Sequence, residues 1–301
     1  MCCEASLPDD GRFGKAGEMK TPDRVDGSDI TVCVLSYNRS AFLEEALASL
    51  CAQTCVPGEI VVLDNGSAPD VRERVEPFLR KGVRWEGVDM PQTPLWNFRR
   101  AFARTERPFL YVMHDDDRLL PMFLERQRAF LLAHPEVIAV ACNAHKIDDA
   151  GVRTGKTLHN PGRRREVELF PSRSRMVELY TRTFLAFPSV LYRTPFPAKV
   201  PMQEEYGQVA DAVFLCELAR FGVLAYVNEV LWEYRVHHGQ DSSRLKQEFL
   251  QRLGGYFRAV GEEDPTIRQQ VRAYLLRRML SRKWKSLRNA LGALFSDVNR
   301  K

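Results

Sequence analysis

Three consecutive carboxylates, Asp115 to Asp117, are the residues of this sequence best suited to chemistry. They follow His114 and an apolar run, residues 109–113, that is typical of a buried strand. Adjacent carboxylates repel one another, so burying them is costly unless a cation neutralises them. Oxygen ligands suit a hard cation such as Mg²⁺ or Mn²⁺, often shared with a diphosphate. A solvated acidic turn is the alternative, and the position after a strand disfavours it.

Two further polar groups also follow apolar, strand-like runs. Asp64 ends one run and precedes the turn pair Asn65-Gly66, where a carboxylate can accept hydrogen bonds from a nucleotide base or ribose. Ser36-Tyr37-Asn38 follows the first run, where an aromatic ring could stack on a base. Turn capping by Asp64 and ordinary loop packing of Tyr37 are the competing interpretations.

The elements that must position these residues alternate between strand and helix. Apolar runs predict strands at residues 30–35, 60–63, 83–88, 109–113 and 137–142, with helices beginning near residues 40, 69, 95 and 121. This spacing predicts an α/β fold with a mostly parallel sheet that helices cover on both faces, and ligands at the carboxyl ends of the strands. Beyond residue 142 we expect a hairpin, an arginine-rich loop at Arg163–Arg165, a helix at 211–221 and strands at 224–227 and 230–236.

Four of these segments together resemble the family 2 glycosyltransferases, which have the GT-A fold. The segments are SYNR at 36–39, DNGS at 64–67, HDDDRLLP at 114–121 and YRVH at 234–237. Each motif is weak alone, but their order and spacing are specific. The resemblance covers roughly residues 30–243.

The resemblance implies a nucleotide site and a metal site. It assigns to the nucleotide a set of residues made up of Ser36, Tyr37, Asn38, Asp64, Asn97 and Asp115. It assigns Asp116, Asp117 and His237 to Mn²⁺ or Mg²⁺, with His238 as the competitor of His237. The DxD motif of the family fits either the aspartate triplet or residues 114–116, and the distance to Pro121 favours Asp116 as the direct ligand.

The resemblance also implies a catalytic base late in the domain. Asp211 matches the aspartate of the family's Glu-Asp pair, although Ala210 replaces the glutamate. Glu204 and Glu205 are rivals for this role. An aspartate favoured by the dipole at a helix N-terminus is the alternative interpretation of Asp211.

The implied activity is an inverting, metal-dependent transfer of a hexosyl or N-acetylhexosaminyl group. The donor is a nucleotide-sugar, which we expect to be a UDP-sugar, and the acceptor is a hydroxyl of a glycan or of a lipid-linked molecule. A sugar-phosphate nucleotidyltransferase would need a glycine-rich loop after the first strand, and residues 36–38 are not one. A non-catalytic nucleotide-sugar-binding or scaffold protein stays open as the second hypothesis, because Ala210 departs from the family pattern.

Composition and charge divide the chain of 301 residues into three predicted parts. Apolar residues make up 45% and charged residues 28%, as in ordinary globular proteins. We predict a disordered leader at residues 1–29, which are rich in Gly, Asp, Pro and Lys. A GT-A domain follows at residues 30–243, and a helical extension at residues 244–301. The net charge is +5, but residues 266–301 hold ten basic residues against one aspartate, so that the rest of the chain carries −4.

The basic extension predicts a contact with a membrane surface. The spacing of its apolar residues predicts a helix with one apolar face formed by Leu280, Trp284, Leu287, Leu291 and Leu294. A basic amphipathic helix suits an anionic membrane. A helix packed on the catalytic domain is the alternative. Seven cysteines without a CxxC pair indicate reduced thiols. We therefore expect a cytoplasmic protein, peripheral at the inner face of the plasma membrane, with no nucleic-acid partner.

Overall fold

A mixed ten-stranded sheet flanked by helices forms the centre of the computed structural model, which describes residues 24–237, 248–278 and 280. The strands are β1 (Val25–Ser36), β2 (Cys55–Asp64), β3 (Arg84–Glu86), β4 (Phe109–His114), β5 (Arg118–Leu119), β6 (Val137–Ile147), β7 (Arg153–Thr157), β8 (Val167–Phe170), β9 (Leu191–Arg193) and β10 (Val223–Arg235). The helices are α1 (Ser40–Cys51), α2 (Pro69–Leu79), α3 (Pro94–Phe102), α4 (Phe123–Ala133), α5 (Arg173–Tyr180), α6 (Ala210–Leu218) and α7 (Glu248–Glu263).

The strand order is β3-β2-β1-β4-β9-β6-β10-β5, with β7 paired to β6 and β8 to β10. Strands β1 to β4 pair in parallel, and the short antiparallel β9 links β4 to β6. Helices α1, α2 and α4 pack on one face of the sheet, and α3, α5, α6 and α7 on the other. This is the α/β architecture that the strand and helix spacing predicts.

Parallel pairing brings the polar strand ends to one edge of the sheet. Ser36 of β1 lies opposite Asp64 of β2, and Leu35 lies opposite His114 of β4. The intervening strand residues are continuous apolar runs, because β1 and β4 are buried on both faces. The three polar clusters therefore share one edge.

The first strand differs from its prediction. It begins at Val25 rather than at residue 30, so part of the expected leader is ordered, and Val25–Gly27 pairs with Cys55–Pro57 of β2. Pro57-Gly58 has the composition of a turn but lies inside β2. Pairing between β1 and β2 holds these turn-forming residues in an extended strand. The register of this pairing shifts after Gly27.

The carboxyl-terminal region also differs in part. Tyr256, Phe257 and Val260 of α7 are buried in the same core as α5 and α6, and helical turns at 265–278 add Val271 and Tyr274 to it. This part of the predicted extension is thus packed on the body of the protein. The apolar face expected from Trp284 onwards lies outside the described residues, as does His238.

Candidate functional site

Asp115 connects the ends of β1 and β4. Its carboxylate accepts a hydrogen bond from the backbone N–H of Tyr37 at 3.1 Å and pairs with the Arg39 guanidinium at 3.1 Å. Arg39 also pairs with Asp116 at 3.1 Å, so one cation bridges two of the three carboxylates. The Tyr37 ring is 48% exposed at this edge, where a base could stack on it.

His237 joins the cluster from a distant part of the sequence. Its Nε2 lies 3.0 Å from Oδ2 of Asp116, and both side chains are less than a tenth exposed. The turn after β10 therefore brings the YRVH segment to the aspartate triplet. His237 also lies against Phe42 of α1, with 5.4 Å between the ring centroids.

Asp117 is the most deeply buried carboxylate, with 1% of its surface exposed. Its Oδ1 accepts a hydrogen bond from the backbone N–H of Arg235 at 3.0 Å, whereas its buried Oδ2 has no hydrogen-bond partner among the described residues. The side chain of Arg235 is fully buried, donates to the carbonyl oxygen of Asp116 at 2.8 Å and pairs with Glu45 at 2.6 Å.

The three carboxylates do not share one electrostatic environment. Burial and the neighbouring charge of Asp116 raise the pKa of Asp115 to about 7, and the same two causes raise the pKa of Asp117. Although burial alone would raise it, the pKa of Asp116 is lowered by the charges of His114, Arg39 and His237. The negative charge is therefore concentrated on the central carboxylate.

The donor atoms here fit a divalent cation. Ligand atoms of His114, Asp116 and Asp117 lie within 4.8 Å of one another, and the unbonded Oδ2 of Asp117 is one oxygen that a cation would satisfy. The group includes Asp116 and Asp117 but has His114 where the prediction has His237, which lies 3.0 Å from Asp116. Placing the DxD motif on residues 114–116 makes Asp116 its last carboxylate, whereas placing it on the triplet makes Asp116 the middle residue. Metal ligation by Asp116, Asp117 and His237 stays a prediction.

The two turns that the resemblance assigns to the nucleotide are tightly hydrogen-bonded to each other. Asp64 is buried and accepts hydrogen bonds from the backbone N–H groups of Gly66 at 3.1 Å and Ser67 at 2.9 Å, and from the Ser67 hydroxyl. Asn38, with φ of 53°, accepts from the N–H of Ala68 at 2.9 Å and donates its own N–H to Ser67 at 2.9 Å. These bonds fix the loops after β1 and β2 against each other.

Ser36 and Asn97 occupy more internal positions. Ser36 is 2% exposed and its carbonyl oxygen accepts from the N–H of Asn65 at 2.9 Å. Asn97 of α3 is 3% exposed, donates to the carbonyl oxygen of Leu63 at 2.7 Å and accepts from Arg100 at 3.0 Å. Asn97 thus anchors α3 to the end of β2. A direct contact of Asn97 with a nucleotide stays a prediction.

Asp211 lies in the first turn of α6, in different surroundings. Its carboxylate accepts a hydrogen bond from the N–H of Ala212 at 2.7 Å, and burial raises its pKa to about 6. Its electrostatic neighbours include the phenols of Tyr180 and Tyr192, whose pKa values are raised by burial and then by the charge of Asp211. A carboxylate with such a pKa can accept a proton near neutral pH.

A row of aromatic rings links the helix of Asp211 to the aspartate edge. Phe214 of α6 contacts Phe187 at 5.8 Å, Phe187 contacts Phe98 of α3 at 5.2 Å, and Phe98 contacts His114 at 5.7 Å between centroids. The rival bases are more exposed than Asp211, and one of them, Glu204, pairs with Arg99 at 3.1 Å. Asp211 is the better buried candidate.

Comparison with known proteins identifies the family. A family model described as Glycosyl transferase family 2 matches residues 31–223. The chain belongs to glycosyltransferase family 2. An uncharacterised glycosyltransferase of Haemophilus influenzae is 22% identical over 231 residues, which are 73% of this chain and 69% of that protein. An uncharacterised protein of Mycobacterium tuberculosis is 32% identical over 96 residues, which are 32% of this chain and 30% of that protein's length.

Solved structures show the same fold. S. aureus TarS 1-349 in complex with UDP-GlcNAc has a TM-score of 0.63 and 18% identity, covering 84% of this chain and 72% of that one. The mannosyltransferase PcManGT of Pyrobaculum calidifontis, in complex with GDP-Man and Mn²⁺, has a TM-score of 0.55 and 15% identity, covering 85% of this chain and 73% of that one. This family 2 glycosyltransferase therefore has the GT-A architecture.

Sequence reasoning missed two arginines of the candidate site. Arg39 stands in the SYNR segment, where the aromatic and amide residues drew attention, and its position beside two carboxylates follows from the fold. Arg235 stands beside His237 in the YRVH segment. Its ion pair with Glu45, 190 positions away, gives no local sequence signal. The one signal that could have found Arg235 is its position two residues before the candidate ligand His237.

Proposed function

We propose that this protein is an inverting, metal-dependent glycosyltransferase that uses a nucleotide-sugar donor. The observation that carries the proposal is the convergence of Tyr37, Asp116 and His237 at one sheet edge in a family 2 chain. Ligands bind at the carboxyl ends of strands in open α/β sheets, which is where these side chains lie.

The donor that we propose is a UDP-sugar carrying a hexosyl or N-acetylhexosaminyl group. Support comes from structural neighbours solved with UDP-GlcNAc and with UDP. A second neighbour solved with GDP-Man makes a GDP-sugar the main competitor. The exposed ring of Tyr37 and the carboxylate of Asp64 are the residues that we assign to the base and ribose.

The metal residues that we propose are Asp116, Asp117 and His237, with His114 close by. When bound, Mn²⁺ or Mg²⁺ would supply Lewis-acid stabilisation of the charge on the leaving diphosphate. Arg39 carries a positive charge at the same place and would hold Asp115 and Asp116 in position before the donor arrives.

The chemical step that we propose uses Asp211 as general base. Its carboxylate would take the proton of the acceptor hydroxyl while that oxygen bonds to the anomeric carbon. The bond from the anomeric carbon to the diphosphate oxygen breaks, and the electron pair leaves with the nucleoside diphosphate. A positioned base of this kind contributes on the order of 10² to 10⁴ in rate.

A panel of nucleotide-sugars tests the proposed function. The purified protein is incubated with UDP-, GDP- and dTDP-sugars, with Mn²⁺ or with a chelator, and release of the nucleoside diphosphate is measured. We expect one donor class to be turned over only with metal. Binding of UDP with no turnover of any donor, with or without candidate acceptors, would instead favour a non-catalytic nucleotide-sugar-binding protein.

We also propose that the protein works in the cytoplasm, peripherally at the inner face of the plasma membrane, on a glycan or lipid-linked acceptor. Support comes from exposed Leu276 and Leu280 beside the exposed arginines 272, 277 and 278. Among the residues that the structure describes, no helix is long and apolar enough to cross a bilayer. Flotation with anionic liposomes tests this, comparing the full chain with a Leu276→Gln/Leu280→Gln variant; equal flotation would contradict it.

A further inference from the structure

A cavity lies beside β7 and β8, whereas the turns assigned to the nucleotide follow β1 and β2. It has a volume of about 590 Å³ and opens between the loop after β7, helix α5 and the segment 182–184 that follows α5. No residue of the nucleotide or metal site lines it. We call it the Arg164 cavity, after the arginine in its wall.

The lining of the Arg164 cavity is positively charged. Four arginines face it, together with two carboxylates, Glu168 and Glu178. The arginines are Arg163, Arg164, Arg175 and Arg182. Glu178 pairs with Arg175 and with Arg182, and Glu168 pairs with Arg164. Two positive charges are left over, so the cavity favours an anion.

Two buried polar atoms of the lining have no hydrogen-bond partner among the described residues. They are Nε2 of His159, a residue that is 6% exposed, and Nη1 of Arg164, whose side chain is 8% exposed. Leaving such groups unbonded costs free energy, so a ligand that bonds to both would be favoured. The pKa of His159 is lowered to about 4 by burial and by Arg164, so that the ring is neutral at pH 7.

Both groups are held rigidly, as in a built site. Arg164 stacks on the Tyr226 ring at 3.8 Å and donates two hydrogen bonds to Glu168, at 2.8 and 3.0 Å. The backbone of His159 exchanges two hydrogen bonds with the Asn143 side chain, at 2.9 and 3.0 Å. The guanidinium and the backbone that carries the imidazole are therefore held in place before any ligand binds.

The sheet register places this cavity near the proposed reaction centre. Leu191 of β9 pairs with Tyr111 of β4 on one side and with Val140 of β6 on the other. His114 lies three residues after Tyr111, and Asn143 lies three residues after Val140. These two residues are therefore at the same height in the sheet, at the same edge. Two strand spacings separate them, about 10 Å. Helix α5, whose Leu179 lines the cavity, also carries Tyr180 beside Asp211.

The lining is apolar next to its charges. Leu158, Phe170, Leu179 and Phe184 contribute to it, and Phe184 is 43% exposed. A ligand that suits both surfaces has a compact anion joined to an apolar or sugar portion. We propose that the Arg164 cavity binds a phosphate or diphosphate group of the acceptor, and that this group orients the acceptor hydroxyl towards Asp211. This inference rests on the proposed function and names the substrate class of the same site.

Calorimetry with two anions tests the inference on the full-length protein. Inorganic pyrophosphate and farnesyl diphosphate are titrated with a chelator present, so that metal-dependent binding at the donor edge does not contribute. We expect both to bind, and to bind equally to an Asp116→Ala variant. Tighter binding of farnesyl diphosphate would indicate a lipid-linked acceptor, and equal binding a water-soluble phosphate ester. Absence of binding of both anions would overturn the inference.

Matched double variants locate the binding. Arg163→Gln/Arg182→Gln removes two exposed arginines that line the cavity, whereas Arg165→Gln/Arg220→Gln removes two exposed arginines outside it, with the same change of net charge. Exposed charges contribute modestly, so we expect the first variant to weaken anion binding about tenfold and the second by less than about twofold. Equal weakening would mean that the anion responds to net charge alone and would overturn the inference.

The donor reaction separates this inference from the proposed function. The Arg163→Gln/Arg182→Gln variant should keep its affinity for UDP with Mn²⁺ and its slow hydrolysis of the donor by water. It should lose transfer to phosphorylated acceptors through a higher KM for the acceptor. If the wild-type protein turns over a donor but binds neither anion, only the inference fails. If it turns over no donor, the proposed function fails.

Discussion

The aspartate edge and the first turn of α6 hold Asp116 and Asp211 in different electrostatic surroundings, the first among positive charges and the second without them. At the edge, Arg39 and His237 contact Asp116, and Arg235 donates its backbone N–H to Asp117. At α6, Asp211 has the N–H of Ala212 and forms no ion pair within the described ranges. Positive neighbours keep the pKa of Asp116 low, although burial raises the pKa of Asp115 and of Asp117 beside it. Burial raises the pKa of Asp211 to about 6.

This difference fits the proposal that the aspartate edge binds the donor and that Asp211 is the base. A site for a cation needs a carboxylate that stays charged, as the lowered pKa of Asp116 allows. A general base needs a carboxylate whose pKa lies near the working pH, and burial without a partner supplies this. Changes at the two places should therefore have different kinetic signatures.

The largest effect is expected at the aspartate edge. Asp116→Ala should lower the rate of transfer by about 10⁴-fold, because stabilisation of the leaving diphosphate and donor binding are both lost. Calorimetry should show that UDP with Mn²⁺ no longer binds. Asp70→Asn, an exposed carboxylate at the start of α2, is the control and should leave both properties unchanged. Full activity of Asp116→Ala would refute the assignment of the metal site.

A smaller loss of rate is expected at α6. Asp211→Asn should lower kcat by about 10² to 10³, because an amide cannot accept the proton of the acceptor hydroxyl. The side chain keeps its shape and its bond to Ala212. Glu204→Gln and Glu205→Gln serve as matched variants of the two rival carboxylates. If one of these loses activity while Asp211→Asn does not, the base lies there instead.

The pH profile gives the next largest change. The pKa of Asp211 is raised to about 6, so kcat with saturating donor and metal should fall about tenfold per pH unit below that value and level off above it. A profile that is flat from pH 5 to pH 8 would mean that Asp211 does not limit the reaction through its protonation.

The smallest effect concerns stability. Because the folded pKa of Asp211 is raised from 3.8 to about 6, the folded state holds this proton more tightly than the unfolded state does. The contribution of this group is favourable below pH 4 and is lost as the pH rises through about 6. Asp211→Asn should therefore stabilise the protein at pH 7.5 by about 1–3 kcal/mol, and scarcely at pH 4. Denaturant unfolding at both pH values measures this; destabilisation at pH 7.5 would contradict it.

The sequence predicted which carboxylates lie at the edge of the sheet better than it predicted the ion pairs that they and their neighbours form there. Asp64 and Asp116 were found because each ends or follows an apolar strand, and parallel strands end together. The pairing of Arg39 with Asp115 and of Arg235 with Glu45 joins residues 76 and 190 positions apart, so it depends on the completed fold. No local pattern carries that information.

The less accurate predictions have a common physical cause. Pro57-Gly58 has the composition of a turn, yet pairing with β1 holds it in a strand. The second half of the sheet was predicted as two strands at 224–227 and 230–236, but β10 is continuous and accommodates irregular register near Val227. Tertiary pairing overrode local preference in both places.

The most direct test of the division between binding edge and base is a calorimetric titration of UDP into the Asp211→Asn variant with Mn²⁺ present. The account predicts that Asp211→Asn binds UDP with the affinity of the wild-type protein although it has lost transfer activity. The reason is that Asp211 contributes to the reaction, whereas the aspartate edge contributes to binding. A large loss of UDP affinity in Asp211→Asn would contradict it, since Asp211 would then belong to the donor site rather than to the acceptor side.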